Sequence, residues 1–171
     1  MEQRISRWGV GPLTFVPSVA FAVAALAATF RWPGLFELNV LPGALLVAGI
    51  VLASAGIAMM FAGGRAVMRA YSSDRLVTTG IFAMVRHPIY AAWIVLIFPG
   101  AALLARSWPM LFAPFLAYAV FRALIHREED YLERRFGQEY LDYRRRVNMV
   151  WPMPRFRAKK HAAARSAGAG Q

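Results

Sequence analysis

The chain has 171 residues, of which 58% are hydrophobic and only 17% are charged, and its mean hydropathy is +0.43. This balance is typical of an integral membrane protein. The sequence contains no cysteine, which excludes disulfides, thiolate nucleophiles and cysteine-ligated metals. The net charge of +11 comes from basic residues that flank apolar runs. No nucleic-acid-binding signature accompanies them, so they indicate attraction to anionic membrane lipids and no nucleic-acid partner.

Apolar runs predict an all-α integral membrane fold with about four transmembrane helices, at residues 13–30, 40–63, 88–105 and 108–125. The first run has eighteen uncharged residues, about 27 Å at the helical rise. It is too long for the apolar part of a typical signal peptide. The second run contains Gly49, Ala53 and Gly56, which permit close approach of another helix. The short turn at 106–107 predicts that the last two spans form a helical hairpin.

The distribution of basic residues predicts how these spans are oriented. If both termini are cytoplasmic, eighteen of the 20 Lys and Arg residues fall on the cytoplasmic side, and only Arg31 and Arg106 lie outside. We therefore expect a multi-pass integral membrane protein with both termini in the cytoplasm. In a bacterium it would lie in the inner (plasma) membrane.

A cytoplasmic helical cap is predicted after the fourth span, at residues 127–150. Apolar and aromatic residues recur there on one helical face, namely Leu132, Phe136, Tyr140, Tyr143 and Val147. Gly137 favours a bend between two shorter helices. We expect the aromatic face to pack over the cytoplasmic mouth of the spans. Residues 1–154 then form a single domain, followed by a basic flexible tail at 155–171.

A corner containing a basic and a titratable residue precedes the third span, at Arg86 and His87. Pro88 disfavours the α conformation at His87 and suits the first position of a new helix. The sequence therefore predicts that Arg86 and His87 are held at the head of that helix. Taken alone, the corner is more typical of an interfacial cap in which the arginine contacts lipid headgroups.

The acidic segment also has an ordinary structural interpretation. Glu128 and Glu129 alone would favour pairing with arginines on the same exposed helix, and aromatic faces more often pack than bind ligands. Arg122 can reach the membrane surface with its long side chain, although a charge within an apolar segment also marks functional sites. The three histidines lack metal-ligand spacing, so no metal site is predicted. No glycine-rich nucleotide loop is present, so the sequence does not support a soluble nucleotide-binding fold.

Together, the two segments resemble the membrane-embedded methyltransferases related to isoprenylcysteine carboxyl methyltransferase and the phospholipid methyltransferases. The shared pattern comprises Arg-His-Pro-x-Tyr, a helical hairpin, Glu-Glu-x-x-Leu, Phe-Gly-x-x-Tyr-x-x-Tyr and a later proline. It covers about residues 76–152. Ala92 departs from the pattern, because the family often has glycine two positions after the first tyrosine, and the extra methyl group narrows the expected pocket.

The resemblance implies a methyltransferase that uses S-adenosylmethionine (SAM) and acts on a lipophilic or small-molecule acceptor. The implied cofactor-binding residues are Arg86, His87, Pro88, Tyr90, Glu128, Glu129, Leu132, Phe136, Tyr140 and Tyr143. These residue types suit SAM, since cations bind its carboxylate, carboxylates accept hydrogen bonds from its hydroxyls and ammonium, and aromatic faces favour its sulfonium. Arg122 and Glu128 are the candidates for catalytic roles.

Two other functions remain as alternatives. NADPH-dependent membrane sterol-type reductases share a similar carboxy-terminal architecture, and binding of NADPH in place of SAM would distinguish them. A non-enzymatic membrane scaffold or lipid-binding protein would use the acidic segment as a docking surface. Within the methyltransferase interpretation, a prenylated cysteine, a phospholipid amine, a quinone-like or isoprenoid molecule and a small thiol are all compatible acceptors.

Overall fold

A computed structural model describes residues 11–73 and 75–152 of the chain. Within these ranges the protein is all-helical and contains no β-strand longer than an isolated bridge. The helices are α1 (Gly11–Arg31), α2 (Pro33–Phe36), α3 (Pro42–Ser73), α4 (Pro88–Leu104), α5 (Ala113–Phe136) and α6 (Gln138–Arg146). Single 3-10 turns lie at Gly80–Ala83 and Pro109–Phe112. The predicted basic tail at 155–171 lies outside the described residues.

Three helical segments are long and apolar enough to cross a membrane, namely Leu13–Arg31, Pro42–Ala70 and Pro109–Phe136. Many of their large apolar side chains face outward, as Phe30, Phe61 and Phe115 do. Such exposure would be unfavourable in water and is favourable against lipid. The chain is therefore a membrane protein. α4 is a shorter apolar helix, and the four-span topology with both termini cytoplasmic stays a prediction.

Two helices run further than the sequence predicted. α3 was expected to end near residue 63 and continues to Ser73, and α5 continues past residue 125 to Phe136. Residues 127–136 are thus an extension of α5, and among the residues described up to 152 only α6 forms a separate helix after it. Charge marks where a helix leaves an apolar layer, but Arg, Glu and Leu are all good helix formers and do not end it.

α3 packs closely against α4 through glycines, as predicted for the small residues of the second span. A Cβ atom placed on Gly56 would lie 2.6 Å from Cγ1 of Ile97, and one on Gly100 would lie 2.8 Å from the backbone nitrogen of Ala53. Neither space admits a side chain without displacement of the neighbouring helix. The contact therefore depends on glycine on both helices.

α4 changes its winding along its length. It is α-helical at Pro88–Ala91, π-helical at Ala92–Ile97 and α-helical again at Phe98–Leu104. Pro99 has no N–H group to donate to the preceding turn, and its ring crowds that turn, so a wider π turn before it accommodates the proline. The π segment places Trp93 beside α1, where its ring contacts that of Phe15 at 5.2 Å with a tilted geometry.

Candidate active site

The corner before α4 has the backbone that its sequence predicts. Pro88 is the first residue of α4, and His87 lies outside the helix with φ −122° and ψ 70°. Arg86 and His87 are both buried. A conformation imposed by proline thus holds a cation and an imidazole at the head of an apolar helix.

An extended segment at residues 147–150, here called the strap, lies alongside this corner. The backbone N–H of Arg86 donates to the carbonyl of Asn148 at 2.8 Å, and that of His87 donates to the carbonyl of Met149 at 3.0 Å. Val85 and Asn148 form an isolated parallel bridge. The strap therefore fixes the corner's backbone, which would otherwise leave buried N–H groups unpaired.

The side chain of Glu129 joins three parts of the chain. Its Oε1 atom lies 2.7 Å from Nη2 of Arg86 and 3.4 Å from Nε2 of His87, and its Oε2 atom lies 3.7 Å from Nε of Arg144. The side chains of Arg86 and Glu129 are only 2% and 4% exposed. Because both charges are removed from water, the ion pair between them is needed to offset the cost of burying each one. Glu129 thus ties the corner, α5 and α6 together.

Glu128 has a different environment, although it is the next residue along α5. Its side chain is 23% exposed, and its Oε2 atom accepts a hydrogen bond of 3.1 Å from the hydroxyl of Tyr90. Nδ1 of His87 lies 3.8 Å from its other carboxylate oxygen. Glu128 therefore retains acceptor capacity that faces the site, whereas Glu129 is enclosed by cations.

The predicted aromatic face of α5 and α6 packs into a hydrophobic cluster. Phe82, Tyr140, Tyr143 and Val147 are buried there, and Leu132 and Phe136 pack against them. The hydroxyl of Tyr143 donates to the carbonyl of Phe82 at 2.7 Å. In this structure these residues position α6 over the 3-10 turn at Gly80–Ala83, as an aromatic face ordinarily does.

Tyr140 differs from the rest of this cluster in its hydroxyl group. That oxygen is buried and has no hydrogen bond of good geometry to any described residue. Burial, reinforced by the nearby carboxylate of Glu129, raises the pKa of Tyr140 above its usual value. The hydroxyl, which the ordinary pKa of tyrosine already keeps protonated at neutral pH, is a buried donor beside the carboxylate pair.

Arg122, a predicted catalytic residue, lies outside the carboxylate cluster. Its side chain is exposed on α5, and Nη1 donates to Sδ of Met149 in the strap at 3.3 Å. The remaining predicted residues are brought together: Arg86, His87, Pro88, Tyr90, Glu128 and Glu129 surround the head of α4, and the cluster of α6 lies beside them.

Arg144 is a site residue that the sequence analysis missed. Besides its contact with Glu129, its Nη1 atom lies 3.4 Å from Oε2 of Glu133, and its side chain remains 42% exposed. Its backbone carbonyl accepts a hydrogen bond of 3.3 Å from Nη1 of Arg86. The spacing of four residues from Tyr140 places both on one face of α6 and was the available signal.

The fold and this site define a membrane-embedded helical protein whose buried ion pair joins an Arg-His-Pro corner to an acidic pair. A profile of the phospholipid methyltransferase family matches residues 38–139, more than half of the chain. The chain belongs to this family, which confirms the resemblance seen in the sequence. The match includes the corner and both glutamates, and it excludes α1, Arg144 and the strap.

Individual relatives agree with this assignment. The chain is 31% identical over 144 residues to the protein-S-isoprenylcysteine O-methyltransferase of Rattus norvegicus, an alignment that covers 76% of the chain and 50% of that protein. It is 30% identical over 156 residues to the nickel-cobalt-cadmium resistance protein NccN of Alcaligenes xylosoxydans xylosoxydans, covering 89% of the chain and 68% of that protein. The chain spans about half the length of the mammalian methyltransferases it matches.

Proposed function

We propose that this protein is an integral-membrane methyltransferase that transfers a methyl group from SAM to a lipophilic or small acceptor at the cytoplasmic leaflet. The observation that carries the proposal is the meeting of the corner and the acidic pair at the head of α4. Tyr90 contacts Glu128 at 3.1 Å and Arg86 contacts Glu129 at 2.7 Å, across 38 and 43 positions of sequence respectively. Family membership supports methyl transfer as the reaction class.

The residues at this site fit SAM, with a division of roles that the sequence alone did not suggest. Arg86 is enclosed and already paired with Glu129, so it stabilises the site and does not anchor the cofactor's carboxylate. Arg144 is the better anchor, because it is half-exposed and its ion pairs are long, at 3.4 and 3.7 Å. Glu128 is placed to accept hydrogen bonds from the cofactor's hydroxyls or ammonium.

The buried hydroxyl of Tyr140 supports the same assignment. A buried donor that lacks a hydrogen bond of good geometry is only partly compensated for the one it would make with water, unless a ligand or an ordered water supplies another. Like any tyrosine hydroxyl, it is protonated and can donate at physiological pH. A polar cofactor bound between Glu128 and Arg144 would provide the acceptor.

The acceptor approaches from the bilayer in this proposal. An apolar groove lies between α1 and α4 and is lined by Val19, Ala22, Val23, Leu26, Trp93, Ile97, Phe98, Ala101 and Met110. Trp93 lies less than one turn from Tyr90, so one end of the groove is close to the carboxylate pair. A hydrocarbon chain in the groove would be shielded from water while its polar end reached the site. The isoprenylcysteine relatives support a lipophilic acceptor of this kind.

The cofactor supplies an electrophilic methyl group on a sulfonium, which becomes a neutral thioether when the acceptor's lone pair forms the new bond. The protein's contribution is then alignment and exclusion of water. Glu128 and Arg144 orient the ligand, and α6 with the strap covers the site. An acceptor that is already ionised needs no base, whereas a protonated acceptor would give its proton to Glu128, the more accessible of the two carboxylates. Arg122 has no role in this scheme.

The direct test is methyl transfer by purified protein in detergent. Labelled SAM should transfer its methyl group to an S-prenylated cysteine, a phospholipid amine or a quinone-like isoprenoid, and the Glu128→Gln variant should be strongly impaired with each active acceptor. Exposed Glu139 offers a matched control, and Glu139→Gln should retain activity. Binding of NADPH in place of SAM would favour the reductase alternative and overturn the proposal.

A further inference from the structure

The ring of Tyr90 is enclosed by three other rings. Phe121 lies 4.9 Å away between centroids, and His87 meets it edge-on at 5.9 Å. The third is Phe15 of α1, whose ring stacks on Tyr90 at 5.4 Å with an interplanar angle of 26°. Phe121 and His87 belong to the region that the family profile matches, whereas Phe15 lies before residue 38, where that match begins.

We propose that Phe15 is a positioning residue, which holds Tyr90 in the orientation that lets its hydroxyl donate to Glu128. The proposal rests on the proposed function for its effect on cofactor binding. A tyrosine hydroxyl lies at the far end of the ring, so a small rotation about the side-chain torsions moves it out of hydrogen-bond range. Stacking removes this freedom, because offset aromatic faces prefer a narrow range of geometries.

The surroundings of Phe15 show that it is itself held in place. Thr14 and Ser18 on either side of it along α1 are completely buried, and the hydroxyl of Ser18 donates to the carbonyl of Thr14 at 3.0 Å. The ring of Phe15 also contacts that of Trp93 at 5.2 Å. One face of this end of α1 is therefore packed in the interior, and it extends the site's aromatic support beyond the family's motifs.

Leucine at position 15 would keep an apolar side chain and remove the stacking ring. We expect Phe15→Leu to weaken binding of S-adenosylhomocysteine about 2- to 10-fold, the range of an aromatic pair. Phe15→Tyr keeps the ring and should restore most of the affinity. Phe21 is the matched control, because it lies on the same helix with its side chain exposed, and Phe21→Leu should leave the affinity unchanged.

Two further experiments test whether Phe15 acts by positioning Tyr90. In a Tyr90→Phe background, which lacks the hydroxyl, Phe15→Leu should cause no further loss of affinity. In ligand-free protein labelled with ¹³Cζ-tyrosine, the Tyr90 signal, identified by its loss in Tyr90→Phe, should shift in Glu128→Gln and in Phe15→Leu but not in Phe21→Leu. This second experiment does not depend on any cofactor.

The results of these experiments distinguish failure of the positioning role of Phe15 from failure of the proposed function. If Phe15→Leu leaves both the affinity and the Tyr90 signal where Phe21→Leu leaves them, the positioning role is overturned while the proposed function stands. A loss of affinity that only follows a loss of folded protein, with the Tyr90 signal unmoved, also overturns it. If the wild-type protein binds no SAM-type ligand, the proposed function fails and the tyrosine signal alone decides whether Phe15 positions Tyr90.

Discussion

The two ends of α4 are both held by an arginine–glutamate pair, and the two pairs differ in their surroundings. At the head of the helix, Arg86 and Glu129 lie 2.7 Å apart and are almost completely buried. About 25 Å away at the helical rise, Arg106 and Glu37 lie 3.2 Å apart and are 35% and 29% exposed. The arginine–glutamate pair at one end of α4 is therefore part of a buried cluster. The pair at the other end, Glu37 and Arg106, lies at the surface and is here called the clasp.

The two ends also differ in how fully their polar groups are satisfied. At the clasp, Arg106 donates to the carbonyl of Leu38 and the side chain of Asn39 as well as pairing with Glu37. At the head of α4, Glu128 and Arg144 are partly exposed, and the buried hydroxyl of Tyr140, although close to Glu129, makes no hydrogen bond of good geometry to a described residue. A buried hydroxyl without a well-formed hydrogen bond, next to a buried ion pair, supports the proposed ligand site at the head of α4.

The largest expected effect is the loss of stability caused by breaking the buried ion pair of Arg86 and Glu129. Glu129→Gln leaves the guanidinium of Arg86 buried without its anion, and we expect a loss of about 3–5 kcal/mol in the free energy of unfolding. Glu37→Gln at the clasp should cost at most about 1 kcal/mol, since that pair is exposed to solvent. Thermal unfolding of both variants in the same detergent measures the difference. Equal small losses would show that the two pairs are energetically alike.

The second-largest effect distinguishes the role of Glu128 from that of the neighbouring Glu129. Glu128→Gln keeps an acceptor for Tyr90 but removes the charge, and we expect at least a tenfold loss of S-adenosylhomocysteine affinity, about 1.5 kcal/mol for a charged hydrogen bond. The unfolding temperature should change little, because Glu128 is partly exposed. Calorimetric titration beside Glu139→Gln provides the comparison. An unfolding temperature that falls as far as in Glu129→Gln would contradict separate roles.

A smaller effect is expected at Arg144. Arg144→Gln should weaken binding of S-adenosylhomocysteine about fivefold, because its contacts are long and partly screened by solvent. Arg145, the next residue, is 73% exposed and contacts only Asp142 among the described charged residues at 3.6 Å. Arg145→Gln is therefore the control and should bind normally. Similar losses in both variants would indicate a general effect of positive charge.

The smallest effects distinguish the two buried tyrosines of α6. Tyr143→Phe removes the donor to the carbonyl of Phe82 and should cost about 1 kcal/mol of stability without a specific loss of ligand affinity. Tyr140→Phe removes a hydroxyl that lies close to Glu129 without a hydrogen bond of good geometry, so stability should fall less than in Tyr143→Phe while affinity falls a few-fold. Unfolding and titration of both variants test this. A loss of stability in Tyr140→Phe as large as in Tyr143→Phe would show that its hydroxyl has a structural role.

The corner was predictable because proline acts locally. Pro88 determines the backbone of His87 and the start of α4, and both follow from the dipeptide alone. Gly137 likewise separates α5 from α6 at φ +53°, a conformation that favours glycine. Features of this kind depend on a few adjacent residues, so the sequence contains the information needed to place them.

Contacts between distant segments were not predictable in the same way. The strap meets the corner through backbone hydrogen bonds, which place no demand on residue type and so have no sequence signature. Arg144 belongs to a run of three arginines, and only its register on α6 singles it out. Phe15 lies in an apolar span among several aromatic residues, where composition alone does not show which ring faces inward. The end of α5 was misplaced because charge does not terminate a helix.

The central claim is that the head of α4 is a cofactor site. Its most direct test is calorimetric titration of the purified wild-type protein with S-adenosylhomocysteine and, separately, with NADPH. The account predicts saturable binding of S-adenosylhomocysteine that Glu128→Gln weakens at least tenfold, with no binding of NADPH. Absence of S-adenosylhomocysteine binding by folded protein, or binding of NADPH instead, would contradict it.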